Sequence, residues 1–181
     1  MATSTLTREW EMRTGENSIK YTVAVDDFGE KIVSFPAGET ICSKDIQVGG
    51  SVFRLIIIPA GNKINSTHVS VYLANRSDRE VIADVKFQVG DLKRELSKQK
   101  IFAEYDSWGK AKMVPHNRCN DGDLLRDGVF EIDVFIDLDV EDLENSKMKS
   151  HVDKKFEASE RKIEAVGKKV EAVEKKLQAL E

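Results

Sequence analysis

Cysteine is scarce in this sequence. Two residues, Cys42 and Cys119, among 181 cannot build the disulfide framework of a small secreted scaffold. One bridge is conceivable, but the opening MATSTLTREWEM has no apolar run long enough for a signal peptide. Two reduced, largely buried thiols and a cytoplasmic location are therefore expected. No apolar segment reaches about 18 residues, so a helical membrane span is not expected. Histidine is equally sparse. His68, His116 and His151 fall in a loop–strand junction, a turn and the tail, with no catalytic constellation around them. Cys119 follows His116 by three residues, but two ligands at one spacing do not make a zinc site. The Asn120-Asp121-Gly122-Asp123 stretch reads as a turn rather than a calcium loop. A glycine-rich phosphate loop is missing too, because Gly49-Gly50 joins strand to strand and opens no helix. Positive charge is not in excess: the formal net charge of −4 argues against a nucleic-acid partner. Catalytic residues, metal and cofactor are all expected to be absent.

What the chain does contain is short β-prone runs separated by turn signals. Ile19, Tyr21, Val23 and Val25 alternate with Lys20, Thr22 and Ala24, as a half-buried strand should. Ile32, Val33 and Phe35 precede a Pro36-Ala37-Gly38 turn. Ile41–Val48 and Val52–Ile58 flank Gly49-Gly50, a hairpin signal because the tight hairpin turns need positive φ. Pro59-Ala60-Gly61-Asn62 cannot continue a strand, and His68–Leu73 begins another. Val81–Val89 and Lys100–Tyr105 follow. Val129–Val140 alternates most regularly, with Phe130, Ile132, Val134, Ile136 and Leu138 on one face and Glu131, Asp133, Asp137 and Asp139 on the other. The spacing predicts a mainly β fold, an antiparallel sandwich of about eight strands.

After residue 142 the composition changes. Residues 143–181 hold 10 Lys+Arg against 8 Asp+Glu, and the rest of the chain 18 against 24. Glycine and proline nearly vanish, and FEASERK, IEAVGKK, VEAVEKK and LQALE repeat every seven residues. Phe156, Ile163, Val170 and Leu177 take position a; Val152, Ser159, Val166, Val173 and Leu180 take position d. The pattern predicts a long C-terminal α-helix in a coiled coil. Lysines at g (Lys155, Lys162, Lys169, Lys176) face acids at e (Glu160, Glu174, Glu181) when the helices run parallel. β-branched residues at d favour a trimer over a dimer. Val152, Phe156, Ile163, Val166, Val170, Val173, Leu177 and Leu180 are thus the expected oligomerisation seam. Three regions follow: 1–16 an N-terminal extension, 17–142 a β-sandwich and 143–181 the helix.

Ser43, Val48-Gly49-Gly50, Phe53-Arg54-Leu55, Pro59-Ala60-Gly61 and Val69-Ser70-Val71-Tyr72-Leu73 stand in the order of the central signature of MATH (TRAF-C-like) domains, which this chain resembles over residues 17–141. Trp108-Gly109 and the strand Phe130–Leu138 match in order and spacing. The resemblance implies a non-catalytic domain that takes an extended peptide beside an edge strand, with backbone hydrogen bonds supplying affinity. It implies that Tyr72 is one aromatic wall and that Val85 and Lys100 occupy two further wall positions. It also implies that Asp106, Ser107, Trp108, Gly109 and Lys110 form a loop flanking the peptide. The expected function is an oligomeric adaptor for protein or peptide partners, with avidity from the coiled coil. The alternatives are a structural coiled-coil assembly capped by the sandwich, or a substrate-recruiting adaptor for a ubiquitin ligase supplied in trans.

Overall fold

Alternation of apolar and polar residues at period two accounts for most of the strands. The computed structural model describes residues 7–64, 66–120 and 124–139. Among these, β1 is Thr7–Arg13, β2 Ser18–Val25, β3 Ile41–Val48, β4 Ser51–Ile58, β5 His68–Asn75 and β6 Val81–Val89. They are followed by β7 Leu92–Glu95, β8 Lys100–Phe102, β9 Ser107–Pro115, β10 Leu125–Arg126 and β11 Val129–Leu138. Two short helices interrupt them, α1 Phe28–Ser34 and α2 His116–Asn120. One sheet runs β1-β2-β11-β6-β7, with β8 also on β6 and β10 on β11; the second runs β3-β4-β5-β9. All pairings are antiparallel.

The inner faces share one core. Val23, Val25, Phe87, Ile132 and Val134 from the first sheet and Phe53, Leu55, Val71 and Leu73 from the second are essentially fully buried. Each such side chain contributes about 1.5–3 kcal/mol by leaving water. Phe28 stacks on Phe130 at 4.1 Å, and Phe53 meets Phe102 edge-on at 5.7 Å. No polar side-chain atom buried among the described residues lacks a partner.

The expected sandwich is present, with eleven strands among the described residues rather than eight. Residues 32–35 are not a strand. Phe28 and Ile32 are buried one helical turn apart while Val33 is exposed, and this places α1 over one end of the core. Residues 7–13, inside the segment set apart as an N-terminal extension, pair along their whole length with β2. Leu92–Glu95, Ser107–Pro115 and Leu125–Arg126 add the remaining strands. The Gly49-Gly50 hairpin has both glycines at positive φ, 52° and 70°, as a two-residue turn requires. Both cysteines are free, but Cys42 is exposed where a buried thiol was expected; its strand turns that position outward. No described helix is long and apolar enough to cross a membrane. The heptads, with Val152, Phe156, Ile163, Val166, Val170, Val173, Leu177 and Leu180, lie outside the described residues.

Candidate functional site

Among the described residues β9 is an edge strand. Its ladder to β5 pairs Ala74 with Ser107, Leu73 with Trp108, Tyr72 with Gly109 and Val71 with Lys110. The register then shifts between Val69 and Val71, and Met113 and Val114 enter the core. The regular part of the edge is therefore Ser107–Lys110. Asp106–Lys110 was expected as a loop; residues 107–110 instead open a strand. The glycine and the lysines hid its alternation.

Residues opposite one another in a ladder share a face, and neighbours along a strand alternate. Leu73 and Val71 point into the core, so Trp108 and Lys110 lie on the inner side, at the rim where the sheets part. Tyr72 and Gly109 lie on the outer face. A side chain at Gly109 would overlap the Val71 carbonyl oxygen and come within 2.7 Å of Tyr72 Cδ1. The Tyr72 ring therefore lies across the space that a side chain would fill, and its hydroxyl accepts a hydrogen bond from Asn62 Nδ2 at 3.2 Å.

Trp108 is 40% exposed, not core. Its indole Nε1–H donates to Asp106 Oδ2 at 2.6 Å, while Asp106 Oδ1 accepts the Ser107 backbone N–H at 2.8 Å. Lys100 Nζ, on β8 of the other sheet, sits 3.1 Å from the ring centroid. The indole is thus held by a carboxylate at its edge and an ammonium on its face, an arrangement that fixes an exposed aromatic ring. Lys100, Asp106, Ser107, Trp108, Gly109, Lys110 and Tyr72 come together around one edge. Val85 does not. It pairs with Ile136 in the first sheet and is 3% exposed on the core face, because its strand alternates with Asp84 and Lys86 outward.

Asn75 is a site residue that sequence reasoning missed. It is buried at the end of β5, where its Nδ2 donates to the Arg79, Phe102 and Ala103 carbonyls and its Oδ1 accepts from Ser77 N–H. Its own backbone N–H donates to the Asp106 carbonyl at 2.9 Å. Asn75 thereby fixes the β8–β9 connection, and with it Asp106 and Trp108. An asparagine ending an apolar strand is the one available signal.

The described residues contain no group of three His, Cys, Asp or Glu able to hold a metal ion. His68 and His116 are brought close together, at the facing ends of β5 and β9. His116 Nε2 lies 2.9 Å from the Pro59 carbonyl, and His68 Nδ1 lies 2.9 Å from Thr67 Oγ1. Burial, then Lys112 and His116, push the His68 pKa down and favour its neutral form.

The family model of the MATH domain matches residues 20–136, more than half of the chain. No curated protein matches it.

Proposed function

The chain belongs to the MATH-domain family, and we propose that it is an oligomeric adaptor that binds extended segments of partner proteins along β9. MATH domains are protein-interaction modules rather than catalysts. The observation that carries the reading is the edge Ser107–Lys110, with Tyr72 on one face and the Lys100-stacked Trp108 on the other. A peptide laid against this edge alternates its side chains between the two. Its backbone then pairs with β9 as far as the register shift.

Lys100 and Lys110 stand where an apolar wall is common, so acidic residues in the peptide are favoured. Binding to one site is modest, micromolar or weaker and thus about −8 kcal/mol at most, because an extended peptide must be ordered. An array of extended peptides, screened with residues 1–142, identifies the sequence. Trp108→Ala and Tyr72→Ala then each reduce binding while the far-ultraviolet spectrum keeps its strand signature, and added salt weakens it. Normal binding by both variants removes β9 as the site.

A further inference from the structure

Among the described residues six strands have a single partner strand, β1, β7, β8 and β10 in the first sheet and β3 and β9 in the second, and all but β1 are short or broken in register. β3 is broken by a register shift between Cys42 and Asp45, and β9 by one between Val69 and Val71. β7 is four residues long and carries Lys93, Arg94 and Glu95. Short strands, charges and bulges are the usual protections of a sheet edge. β1 is neither short nor bulged, and its four charges, Arg8, Glu9, Glu11 and Arg13, are two of each sign. It pairs in unbroken register with β2 over seven residues, has neither lysine nor proline, and among the described residues has no strand on its other side. Trp10 and Met12, 46% and 58% exposed, project from the same outer face, as their partners Thr22 and Lys20 do.

The inner side of β1 is committed to holding this edge straight. Glu9 accepts the Tyr21 hydroxyl at 2.6 Å and the Lys44 backbone N–H at 3.1 Å. That N–H lies in the irregular stretch of β3, so one carboxylate ties β1 to the opposite sheet. A fixed, unbroken and partly apolar edge is a template for another strand.

We propose that β1 pairs antiparallel with β1 of a second copy, joining the two β1-edged sheets into one. Paired strands keep their outer faces together only when the numbers of opposing residues sum to an even value. Of these registers, the one centred on Glu11 fits the sequence best. It sets Trp10 against the second copy's Met12 twice, an aromatic–thioether contact on the outer face. On the inner side it sets Glu9 against the second copy's Arg13 twice. Arg13 already lies 3.6 Å from Glu11 of its own strand, which tempers the single like-charge contact, Glu11 against Glu11, at the two-fold axis. The pairing is isologous, so this contact by itself closes at two copies. An extended foreign segment has no comparable reason to match TREWEMR; this self-complementarity is what selects a second copy. The inference is independent of peptide binding at β9.

Three variants of the full chain test it. Trp10→Lys with Met12→Lys changes two exposed side chains, and the folded spectrum should be unaltered. In a Val170→Asp background, which places a charge in the heptad seam, its mass in sedimentation at high micromolar concentration should be half that of the same chain with Trp10 and Met12 intact. Glu11→Gln removes the repulsion and should strengthen pairing several-fold. Glu11→Cys in a Cys42→Ser background should give a disulfide-linked pair on mild oxidation, because directly opposed Cα atoms lie about 4.5–5.5 Å apart, within disulfide reach. That link should vanish when Trp10→Lys and Met12→Lys are added. Equal masses with and without the two lysines in the Val170→Asp background overturn the proposal. So does a cysteine link that survives those lysines, or an added extended peptide that binds β1 while the mass stays unchanged.

Discussion

Asn75 has no reactive chemistry, yet four side-chain hydrogen bonds converge on it inside the core. Removing a buried partner costs the desolvation of the groups left behind, about 1–3 kcal/mol. Asn75→Ala should therefore lower the unfolding free energy by that amount in a urea titration. It should also free the Ala103–Asp106 connection, so Trp108 fluorescence shifts before global unfolding begins. The two cysteines make a second residue-scale contrast. Cys42 is exposed and Cys119 is buried, with burial pushing the Cys119 thiol up to about 11 against the slight opposing pull of Arg118. A thiol-reactive dye should label one cysteine in the folded chain and two after denaturation. Because the folded pKa lies above the unfolded one, the Cys119 contribution is complete below about 9 and is lost as pH rises towards about 11. Stability should fall more steeply across that window in the wild type than in Cys119→Ala. Burial and the neighbouring Glu9 also push Tyr21 upward, which adds to the alkaline loss in both proteins.

At the scale of the element, β9 depends on a missing side chain. Gly109 faces Tyr72, and a Cβ there meets the Val71 carbonyl and the Tyr72 ring. Gly109→Ala forces the two strands apart, at a cost of about 1–3 kcal/mol for overpacking. It should abolish peptide binding more completely than Tyr72→Ala does, and a thermal melt of both variants separates the stability loss from the binding loss. This dependence also explains what the sequence concealed. Strands with clean alternation, such as Val81–Val89 and Phe130–Leu138, could be read directly because one face is core and the other water. Ser107–Lys110 could not: its partner strand supplies the burial, and its own residues are a serine, a tryptophan, a glycine and a lysine. The four charged residues of β1, and Trp10 and Met12 on its wet face, likewise resemble a polar leader rather than a strand. The helix α1 could have been found from Phe28 and Ile32 at i,i+4, but Ile32, Val33 and Phe35 also fit a strand run, and tertiary burial decided between them. Val85 shows the converse. Its place in a family pattern suggested a wall, whereas the simple alternation of its own strand already assigned it to the core.

For the whole molecule, the consequence of a weak, single-edged site depends on how many copies act together. The heptad repeat assigns Val152, Phe156, Ile163, Val166, Val170, Val173, Leu177 and Leu180 to positions a and d, with lysines at g and acids at e. We propose that this segment gathers several sandwiches and that valines at d favour three over two. Equilibrium sedimentation of the full chain decides the number, subject to any doubling through β1. Val170→Asp puts a charge into each helix of the seam, where it must be desolvated without a partner. Its sandwich is unchanged, so a peptide free in solution should bind it with wild-type affinity. On a surface crowded with the same peptide, the wild type engages several edges at once, and each further contact is made at high effective concentration. Retention there should drop on the order of 100-fold in Val170→Asp. Equal retention would mean that the copies do not engage the surface together, either because the heptads do not assemble or because their geometry keeps the edges apart. The mass of the full chain distinguishes those two cases, since the first leaves it unaffected by the aspartate and the second does not.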